Sequence, residues 1–449
     1  MFARVQQRVP IEFVQLCLTT AAASAMRRAV PAARVIDLAL PLKGPLPKPN
    51  REFLASLEGD GVPTVHNMIL GDRVLRTLPP DEATAYVALL TERMLATIGS
   101  ERPDLVLGGF DSVHAGVGLA TSRYLKIPWV AMHFTAIPRG LMNFCTGISP
   151  ATPLPIKRSV DQALRLEARR EIQAFLGRTT RPHAYRSADS VAMVLGRLPI
   201  HGCTLMGRIT DRATGRFNRY NTPTPWSSVQ HWARKRRNLL LLGRTPLLRT
   251  TPVGRFGFLP LQMQPESSID AWAPFCSNQF HVVEQVARAM PADMTLAVKL
   301  HVSDGDNYSP EQLARLTALP GVAIVHPSVP SRELIERSAI VFGIMGTACL
   351  EAALLRKPVV MFGNSPYLAF PGVSRVGRVD ELPSLVRSAL VAEPPSEDAL
   401  EDAFMAFISS YMPATLNDWT KPLSDEAIDR YATCFRLLCE HLQCSGASD

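Results

Sequence analysis

The stretch that decides the fold is residues 340–363, which read IVFGIMGTACLEAALLRKPVVMFG. Ile340–Ile344 and Pro358–Gly363 are apolar runs of strand length. Thr347–Leu355, between them, has the small and apolar residues of a buried helix, and Gly346 separates it from the first run. This strand, helix, strand order predicts a parallel sheet, because neighbouring parallel strands need a crossover connection.

The junction at Gly346 predicts an anion site. Glycine lets a backbone approach a ligand closely, and Thr347 begins a helix whose free N–H groups and dipole favour a phosphate. Glu351 follows one turn later on the same helix face, where it can accept hydrogen bonds from ribose hydroxyls. An ordinary capped helix after a buried strand would show the same residues. Gly346, Thr347 and Glu351 are therefore candidate nucleotide-binding residues.

The sequence before this junction repeats the alternation of strands and helices. Five strands with intervening helices predict a doubly wound domain over residues 246–395, joined to the preceding domain by a Thr-, Pro- and Arg-rich stretch near residues 244–253. The other predicted elements of this domain are the strands Phe256–Leu261, Thr295–Leu300 and Val322–Val325 and the helices Ser277–Met290, Pro310–Thr317 and Ser331–Arg337.

Residues 1–245 show the same alternation less clearly and predict a second Rossmann-like domain. A helical tail over residues 396–449 is expected to pack back across the cleft between the two domains. The predicted fold class is α/β, with two doubly wound Rossmann-like domains facing across a cleft. The predicted strands here are Ile11–Leu18, Ala33–Leu38, Asp104–Gly109 and Ile127–Met132, and the helices are Thr20–Ala29, Pro79–Ile98 and His114–Leu125.

The composition of the chain excludes several classes of protein. With 449 residues, 47% of them hydrophobic and 20% charged, the chain is neither disordered nor fibrous. No run approaches the ~20 apolar residues of a membrane span, and the N-terminus shows no signal-peptide pattern, so we expect a cytoplasmic protein. The 8 cysteines include no C-x-x-C pair, which favours buried free thiols over a zinc or redox site.

Positive charge is concentrated in the middle of the chain. Residues 151–250 hold 19 Lys and Arg against 5 Asp and Glu, a balance of +14, while the whole chain carries +8. Arg234–Arg237 lie beside Trp226 and Trp232. This basic segment is either a solvated face or a surface for anionic lipid headgroups or a phosphorylated acceptor. No pattern of a nucleic-acid-binding module accompanies it, so we expect no nucleic-acid partner and a reversible, salt-sensitive attachment to the inner membrane face.

Two further stretches place polar side chains where strands end. Lys299 and His301 alternate at a strand end, so both side chains can point the same way toward a phosphate or a leaving group. The polar loop 260–268 follows the first strand of the same domain and contains Gln264 and Glu266. Loops at this position commonly contact ligand in such folds.

Together these stretches resemble a known family. Residues 255–390 are similar to the nucleotide-binding half of the bacterial capsule polysaccharide biosynthesis glycosyltransferases, which include the Kdo-transferring capsule enzymes. Residues 69–73, 102–107 and 125–129 match the family more loosely. The motifs that carry the resemblance are Pro-Leu-Gln-x-Gln-Pro-Glu-Ser at 260–267, Val-Lys-x-His at 298–301, Pro-Ser-x-Glu-Leu-Ile at 330–335 and Gly-Thr-x-x-Leu-Glu-Ala-x-Leu-x-x-Lys-Pro-Val at 346–359.

The resemblance implies a GT-B glycosyltransferase. It implies a nucleotide-sugar donor in the C-terminal domain and a glycan or lipid-linked glycan acceptor beside the N-terminal one. It also implies that helix dipole and side chains replace a metal, and that no cofactor is needed besides the nucleotide-sugar co-substrate. The residues expected to bind the donor are Gln264, Glu266, Lys299, His301, Ser331, Gly346, Thr347 and Glu351.

The chain departs from the family at one motif position. The family usually has His-Pro after the lysine strand, whereas this chain has His301-Val302. Loss of the proline keeps the imidazole but relaxes the loop that aims it.

Asp111 and His114 are the catalytic candidates in the N-terminal half. Asp111 follows the predicted strand Asp104–Gly109, and His114 comes three residues later. A carboxylate or imidazole at a strand end can take the proton of an acceptor hydroxyl, and we expect Asp111 to face the cleft opposite the phosphate site. Asp111 could instead cap the helix that begins near His114.

Other functions remain compatible with the same scaffold. A nucleotide-sugar epimerase or a polymer phosphotransferase would use a similar pair of domains, and an epimerase needs no acceptor. A degenerate binding or scaffold subunit would explain both His301-Val302 and the basic middle segment.

Overall fold

The computed structural model describes residues 1–40, 42, 44–59, 61–110, 113–177, 206–214, 218–242, 245–301, 308–415 and 423–446. The chain forms two compact units. Unit 1 comprises Met1–Ser159, Ile209–Pro223 and Ile408–Asp449, and unit 2 comprises Val160–Arg208 and Thr224–Phe407. These limits differ from the predicted ones (1–245, 246–395 and 396–449), mainly because the basic middle segment and the tail are each divided between the units.

The bounds of the regular elements follow in chain order. The strands are β1 (Val14–Cys17), β2 (Arg34–Asp37), β3 (Val106–Gly108), β4 (Trp129–Phe134), β5 (Leu141–Cys145), β6 (Phe256–Pro260), β7 (Thr295–Lys299), β8 (Val322–Val325), β9 (Ile340–Gly343), β10 (Val359–Met361), β11 (Val373–Arg375) and β12 (Met412–Pro413). The first group of helices is α1 (Phe2–Val5), α2 (Thr20–Ala29), α3 (Arg51–Ser56), α4 (Val65–Gly71), α5 (Pro80–Glu101), α6 (Val113–Tyr124), α7 (Gln162–Leu176), α8 (206–213) and α9 (Pro225–Leu242). The second group is α10 (Ser267–Asp270), α11 (Gln279–Ala289), α12 (Pro310–Thr317), α13 (Ser331–Arg337), α14 (Thr347–Leu354), α15 (Leu382–Val391), α16 (Glu397–Ser409) and α17 (Asp425–Gly446).

The described part of unit 2 is built on a six-stranded parallel sheet in the order β11-β10-β9-β6-β7-β8. Its central strands β10, β9, β6 and β7 are buried at every residue except Pro260 and Thr295, because helices cover both faces of the sheet. Strands of this kind read as continuous apolar runs, and the sequence analysis found five of the six for that reason. The exception is β11, which has three residues, none of them buried.

The strand order fixes where a ligand can bind in unit 2. The chain runs outward from β6 to β7 and β8, then returns to β9, which pairs with β6 on the other side. Ligands of open α/β sheets bind outside the carboxyl ends of the strands at this reversal. The loops that follow β6 and β9 are the loops of the switch point.

The described part of unit 1 contains two smaller sheets. One pairs β1 and β2 in parallel, and the other has the order β12-β5-β4-β3. Here β3 and β4 are parallel, whereas β5 is antiparallel to both of its neighbours. The chain returns into β5 through a turn at Gly140, whose φ of 93° suits glycine. The α/β class is confirmed, but the sequence analysis did not predict the antiparallel pairing.

The C-terminal helix α17 belongs to unit 1. It packs against α1 and β12, and its Phe435 ring lies 5.2 Å from that of Phe13 and 5.5 Å from that of Phe144. No helix in the described ranges is long and apolar enough to cross a membrane.

Candidate functional site

The switch point of unit 2 has the predicted glycine and helix. Gly346 is the N-cap of α14, and Thr347, the first residue of the helix, is exposed. Because glycine has no side chain, the N-cap residue does not occupy the first N–H groups of α14. A Cβ atom at Gly343 would clash with Cys349 Sγ, so this glycine lets the first turn of α14 pack closely on the end of β9. The local sequence therefore presents a helix N-terminus at the carboxyl edge of the sheet.

Gln262 ties the two loops of the switch point together, and the sequence analysis did not single it out. Its buried side-chain Oε1 accepts a hydrogen bond from Met345 N at 3.0 Å. Gln279 Oε1 in turn accepts from Gln262 N at 2.7 Å, and Gln279 Nε2 donates to Gln262 O at 2.9 Å. The loop after β6 thereby fixes the backbone that leads into α14.

The predicted binding residues Gln264 and Glu266 take part in the hydrogen bonding of their own loop. Gln264 Nε2 donates to Asp270 Oδ1 at 2.8 Å and to Ser277 O at 3.0 Å, and its Oε1 accepts from Gln279 Nε2 at 3.1 Å. Glu266 N donates to Asp270 Oδ2 at 3.1 Å. These bonds shape the loop, and direct contact of either side chain with a ligand stays a prediction.

Three predicted residues interact across three elements, Lys299 of β7, Ser331 of α13 and Glu351 of α14. Lys299 ends β7, has 4% of its surface exposed, and donates from Nζ to Ser331 Oγ at 2.7 Å. Burial lowers the pKa of Lys299 to about 8, while the negative charge of Glu351 on α14 acts in the opposite direction. A buried ammonium group beside a hydroxyl and a carboxylate can exchange these partners for a phosphate oxygen.

His301 lies close to this group. Burial lowers the pKa of His301, and the positive charge of Lys299 lowers it further. The imidazole is therefore neutral near neutral pH and can give or accept a hydrogen bond. Val302 and the rest of the loop 302–307 lie outside the described residues.

A second histidine ends the neighbouring strand. His326 directly follows β8, is 7% exposed, and its Nδ1 accepts from Ser328 N at 3.1 Å. In the neutral form of the ring, the proton is therefore on Nε2. The His-Pro pair that the family usually has after the lysine strand is absent at His301, but His326-Pro327 stands one strand away. That dipeptide is the sequence signal that would have pointed to His326.

In unit 1, Asp111 lies outside the described residues, whereas His114 is in the first turn of α6. His114 Nε2 lies 3.3 Å from Tyr86 Oη. Burial lowers the pKa of His114 to about 4, with Asp72 acting in the opposite direction, so the ring is neutral near neutral pH. The buried Asp72 also accepts a hydrogen bond at Oδ2 from Val113 N, at 3.2 Å. Asp72 thus caps α6, a role the sequence analysis considered for Asp111.

Tyr86 connects His114 to a polar cluster that the sequence analysis missed. The ring of Tyr220 stacks on Tyr86 at 4.7 Å, and Tyr220 Oη donates to Glu82 Oε1 at 2.8 Å. Burial raises the pKa of Tyr86 to about 12, and a hydrogen bond with the Asn218 side chain opposes that rise. Residues 218–220 come from the chain segment that returns to unit 1, so their proximity to Tyr86 is a tertiary property.

His133 near the end of β4 was also missed. Burial lowers its pKa to about 4, and its Nδ1 lies 3.3 Å from Tyr411 Oη. Its ring meets that of Phe110 edge to face at 6.2 Å. Because β3 and β4 are parallel, their carboxyl ends meet at one edge, which brings His133 to the loop that leads to Asp111.

The basic run 234–237 lies on α9. Arg234 and Arg237 are exposed, and Lys235 and Arg236 are half-buried. The Arg236 guanidinium lies 5.7 Å from the ring centre of Trp232, in the geometry of a cation–π contact.

Residues 216–389 match the model of a family described as "Capsule polysaccharide biosynthesis protein". This match confirms the resemblance found in the sequence, and it contains every predicted donor-binding residue of unit 2. No curated protein matches the chain.

Solved structures give weaker similarities. The β-Kdo 2,7 transferase of Thermosulfurimonas dismutans KpsC has a TM-score of 0.35 and 11% identity, over 94% of this chain and 99% of that one. The β-Kdo 2,4 transferase of the same protein has a TM-score of 0.35 and 14% identity, over 74% and 86%. The UDP-GlcNAc 2-epimerase of Methanocaldococcus jannaschii, in complex with UDP-GlcNAc and UDP, has a TM-score of 0.28 and 12% identity, over 88% and 97%.

Proposed function

We propose that this protein is a glycosyltransferase of capsule or other surface-polysaccharide synthesis. It transfers a sugar from a nucleotide-sugar donor to a glycan or lipid-linked glycan acceptor. One observation carries this proposal above the others. The region matched by the capsule biosynthesis family contains a parallel-sheet switch point with a helix N-terminus, and on the same sheet Lys299 donates to Ser331 and interacts electrostatically with Glu351 of that helix.

The donor phosphate binds at the N-terminus of α14 in this proposal. The N–H groups of its first turn and the ammonium group of Lys299 supply positive charge, and Ser331 supplies a hydroxyl. The Glu351 carboxylate accepts hydrogen bonds from the ribose hydroxyls of the donor. Each charge-assisted contact contributes roughly 1.5–3 kcal/mol to phosphate binding.

The transfer step needs a proton acceptor and a stabilised leaving group. The bond between the anomeric carbon and the donor phosphate oxygen breaks as the acceptor oxygen bonds to that carbon. The acceptor proton passes to a general base, for which the sequence offers Asp111 and His114 as candidates. The departing phosphate keeps the electron pair and the negative charge, which Lys299 stabilises. A neutral His114 is able to accept this proton.

The reaction is proposed to proceed without a metal. Within the described residues no group of three His, Cys, Asp or Glu side chains could hold a metal ion. Asp304-Gly305-Asp306, a triplet able to bind one, lies outside them. Transfer should continue in excess EDTA, and a loss that Mg²⁺ or Mn²⁺ restores would overturn this part of the proposal.

The basic run on α9 is proposed to contact an anionic surface, which would place the enzyme at the inner membrane face. Arg234 and Arg237 supply exposed charge, and a cation held near such a surface contributes about 1 kcal/mol.

Nucleotide release from a panel of nucleotide sugars tests the proposed activity. A glycosyltransferase releases nucleotide in proportion to the glycan acceptor supplied and forms a lengthened glycan. An epimerase would convert the donor sugar without acceptor. A scaffold subunit would bind nucleotide and release none, and either of these last two results would refute the proposed activity.

A further inference from the structure

Helix α9 exposes a row of large apolar side chains. Trp226 is 69% exposed, Val229 40% and Leu240 77%. At 100° per residue, Trp226, Val229 and Leu240 fall within about 60° of arc, together with the small residue Ala233, so they form one stripe along the helix. Trp232 lies at the border of this stripe with 40% of its surface exposed. Scattered apolar residues are normal on a surface, whereas several large ones aligned on one helix face, a tryptophan among them, are typical of a contact face.

The opposite face of α9 holds the helix on unit 2. Asn238 is 2% exposed, and Leu242, at 5%, belongs to the apolar core that covers the sheet. Helix α9 also contacts α12, and the ion pair of this contact, Arg237 with Glu311 at 4.0 Å, lies at the edge of the stripe and leaves its three large side chains exposed. The stripe is therefore the side of the helix that points away from the core of its own unit.

The charges of α9 indicate which kind of partner binds the stripe. The helix sequence contains Arg234, Lys235, Arg236 and Arg237 and no acidic residue. Arg236 and Arg237 flank the stripe, whereas Arg234 lies farther round the helix and Lys235 lies on the opposite face. The Arg236 guanidinium lies over Trp232. An apolar stripe with tryptophan, bordered by arginine, is the pattern of a helix that lies in a membrane interface, where the apolar side enters the acyl boundary and the cations meet anionic headgroups.

We propose that α9 is an interfacial membrane helix, whose Trp226, Val229 and Leu240 insert into an anionic leaflet. The inference rests on the membrane contact proposed above, and it adds insertion of apolar side chains to a contact that was purely electrostatic. Charge alone would give attachment that salt abolishes, whereas inserted side chains keep a part of the binding at high salt, because burial of apolar surface is not screened.

Vesicle co-sedimentation of the full chain separates the two components. The probes are vesicles of phosphatidylglycerol and phosphatidylcholine in equal parts and vesicles of phosphatidylcholine alone, each at low and high salt. The stripe variant is Trp226→Ala/Val229→Ala/Leu240→Ala. A matched control is Val253→Ala/Phe275→Ala, which removes side chains that are 93% and 99% exposed elsewhere on unit 2.

The wild type should bind the anionic vesicles and keep part of this binding at high salt. The stripe variant should lose about tenfold or more in affinity at both salt concentrations, because three large side chains no longer enter the lipid. The control should bind like the wild type. In addition, brominated lipid should quench the tryptophan emission of the wild type more than that of Trp226→Phe.

Binding by the stripe variant equal to that of the wild type would overturn the insertion and leave an electrostatic contact. Complete loss of wild-type binding at high salt would do the same. Self-association that the stripe variant loses, without vesicle binding by the wild type, would assign the stripe to a second copy of the chain and overturn the proposal. Nucleotide release with a water-soluble acceptor should be unchanged in the stripe variant, so a failure of the proposed activity appears separately.

Discussion

At the scale of single residues, Lys299 is the group on which the proposed donor site depends most. It is a buried cation that donates a hydrogen bond to the Ser331 hydroxyl and interacts electrostatically with Glu351. Burying a charge costs free energy unless strong partners compensate. A phosphate would supply such a partner, which is why we place the donor there.

Lys299→Met should weaken binding of CMP or UDP by about tenfold or more, because a charge-assisted contact of roughly 1.5–3 kcal/mol is lost. Methionine has a similar length and no charge to bury, so the unfolding temperature should change little. Calorimetric titration measures the affinity. Lys357→Met is the matched control, because Lys357 precedes β10 and so lies at the opposite, amino edge of the sheet.

The pKa of Lys299 predicts a pH dependence for the same binding. The protonated form attracts phosphate, and burial brings its pKa to about 8, so nucleotide affinity should fall as the pH rises through about 8. In Lys299→Met this fall should vanish. A fall of equal size in the variant would mean that another group controls binding.

Asp111→Asn tests the proton acceptor of unit 1. Loss of a general base lowers a reaction rate by typically 10²–10⁴-fold, whereas nucleotide affinity in unit 2 should stay as in the wild type. Steady-state transfer rates and titration give the two quantities. If the variant keeps full transfer activity, Asp111 is not the base, and His114→Gln is the next variant to measure.

At the scale of elements, the sequence predicted the strands and helices whose pattern lies within their own residues. The strands of the unit 2 sheet appear as apolar runs because both faces are buried. Strand β12 has only two residues, and its pairing with β5 depends on a distant segment. No local pattern marks such a strand.

Residues of the candidate site also differ in whether a local sequence motif or only the fold reveals them. Lys299, Ser331 and Glu351 lie in motifs, and the sequence predicted them. His326 and His133 owe their positions to neighbouring strands, and Gln262 to a hydrogen bond with Met345, so only the fold reveals what they contact.

The junction of β9 and α14 gives a prediction for stability. Gly343→Ala should lower the free energy of unfolding by about 1–3 kcal/mol, because the added methyl group clashes with Cys349 Sγ. Urea denaturation measures this loss. The double variant Gly343→Ala/Cys349→Ala removes the sulfur and should recover part of the stability; no recovery would show that the clash is not the cause.

At the scale of the whole molecule, the features linked to the proposed function are divided between the two units. Unit 2 carries most of the family match and the proposed anion site, and its α9 carries the basic run with its apolar stripe. Unit 1 carries His114 and His133 near the carboxyl ends of β3 and β4. The N-terminal and C-terminal segments of the chain join in unit 1, where α1 packs on α17. Composition predicted the basic middle, but not that its charges border an exposed apolar stripe.

A crystal structure with CMP or UDP bound tests the central claim most directly. We predict the phosphate at the N-terminus of α14, within hydrogen-bonding distance of Lys299 Nζ, and the ribose hydroxyls on Glu351. A nucleotide bound away from the carboxyl ends of β6 and β9 would contradict the account, as would one whose phosphate contacts neither α14 nor Lys299.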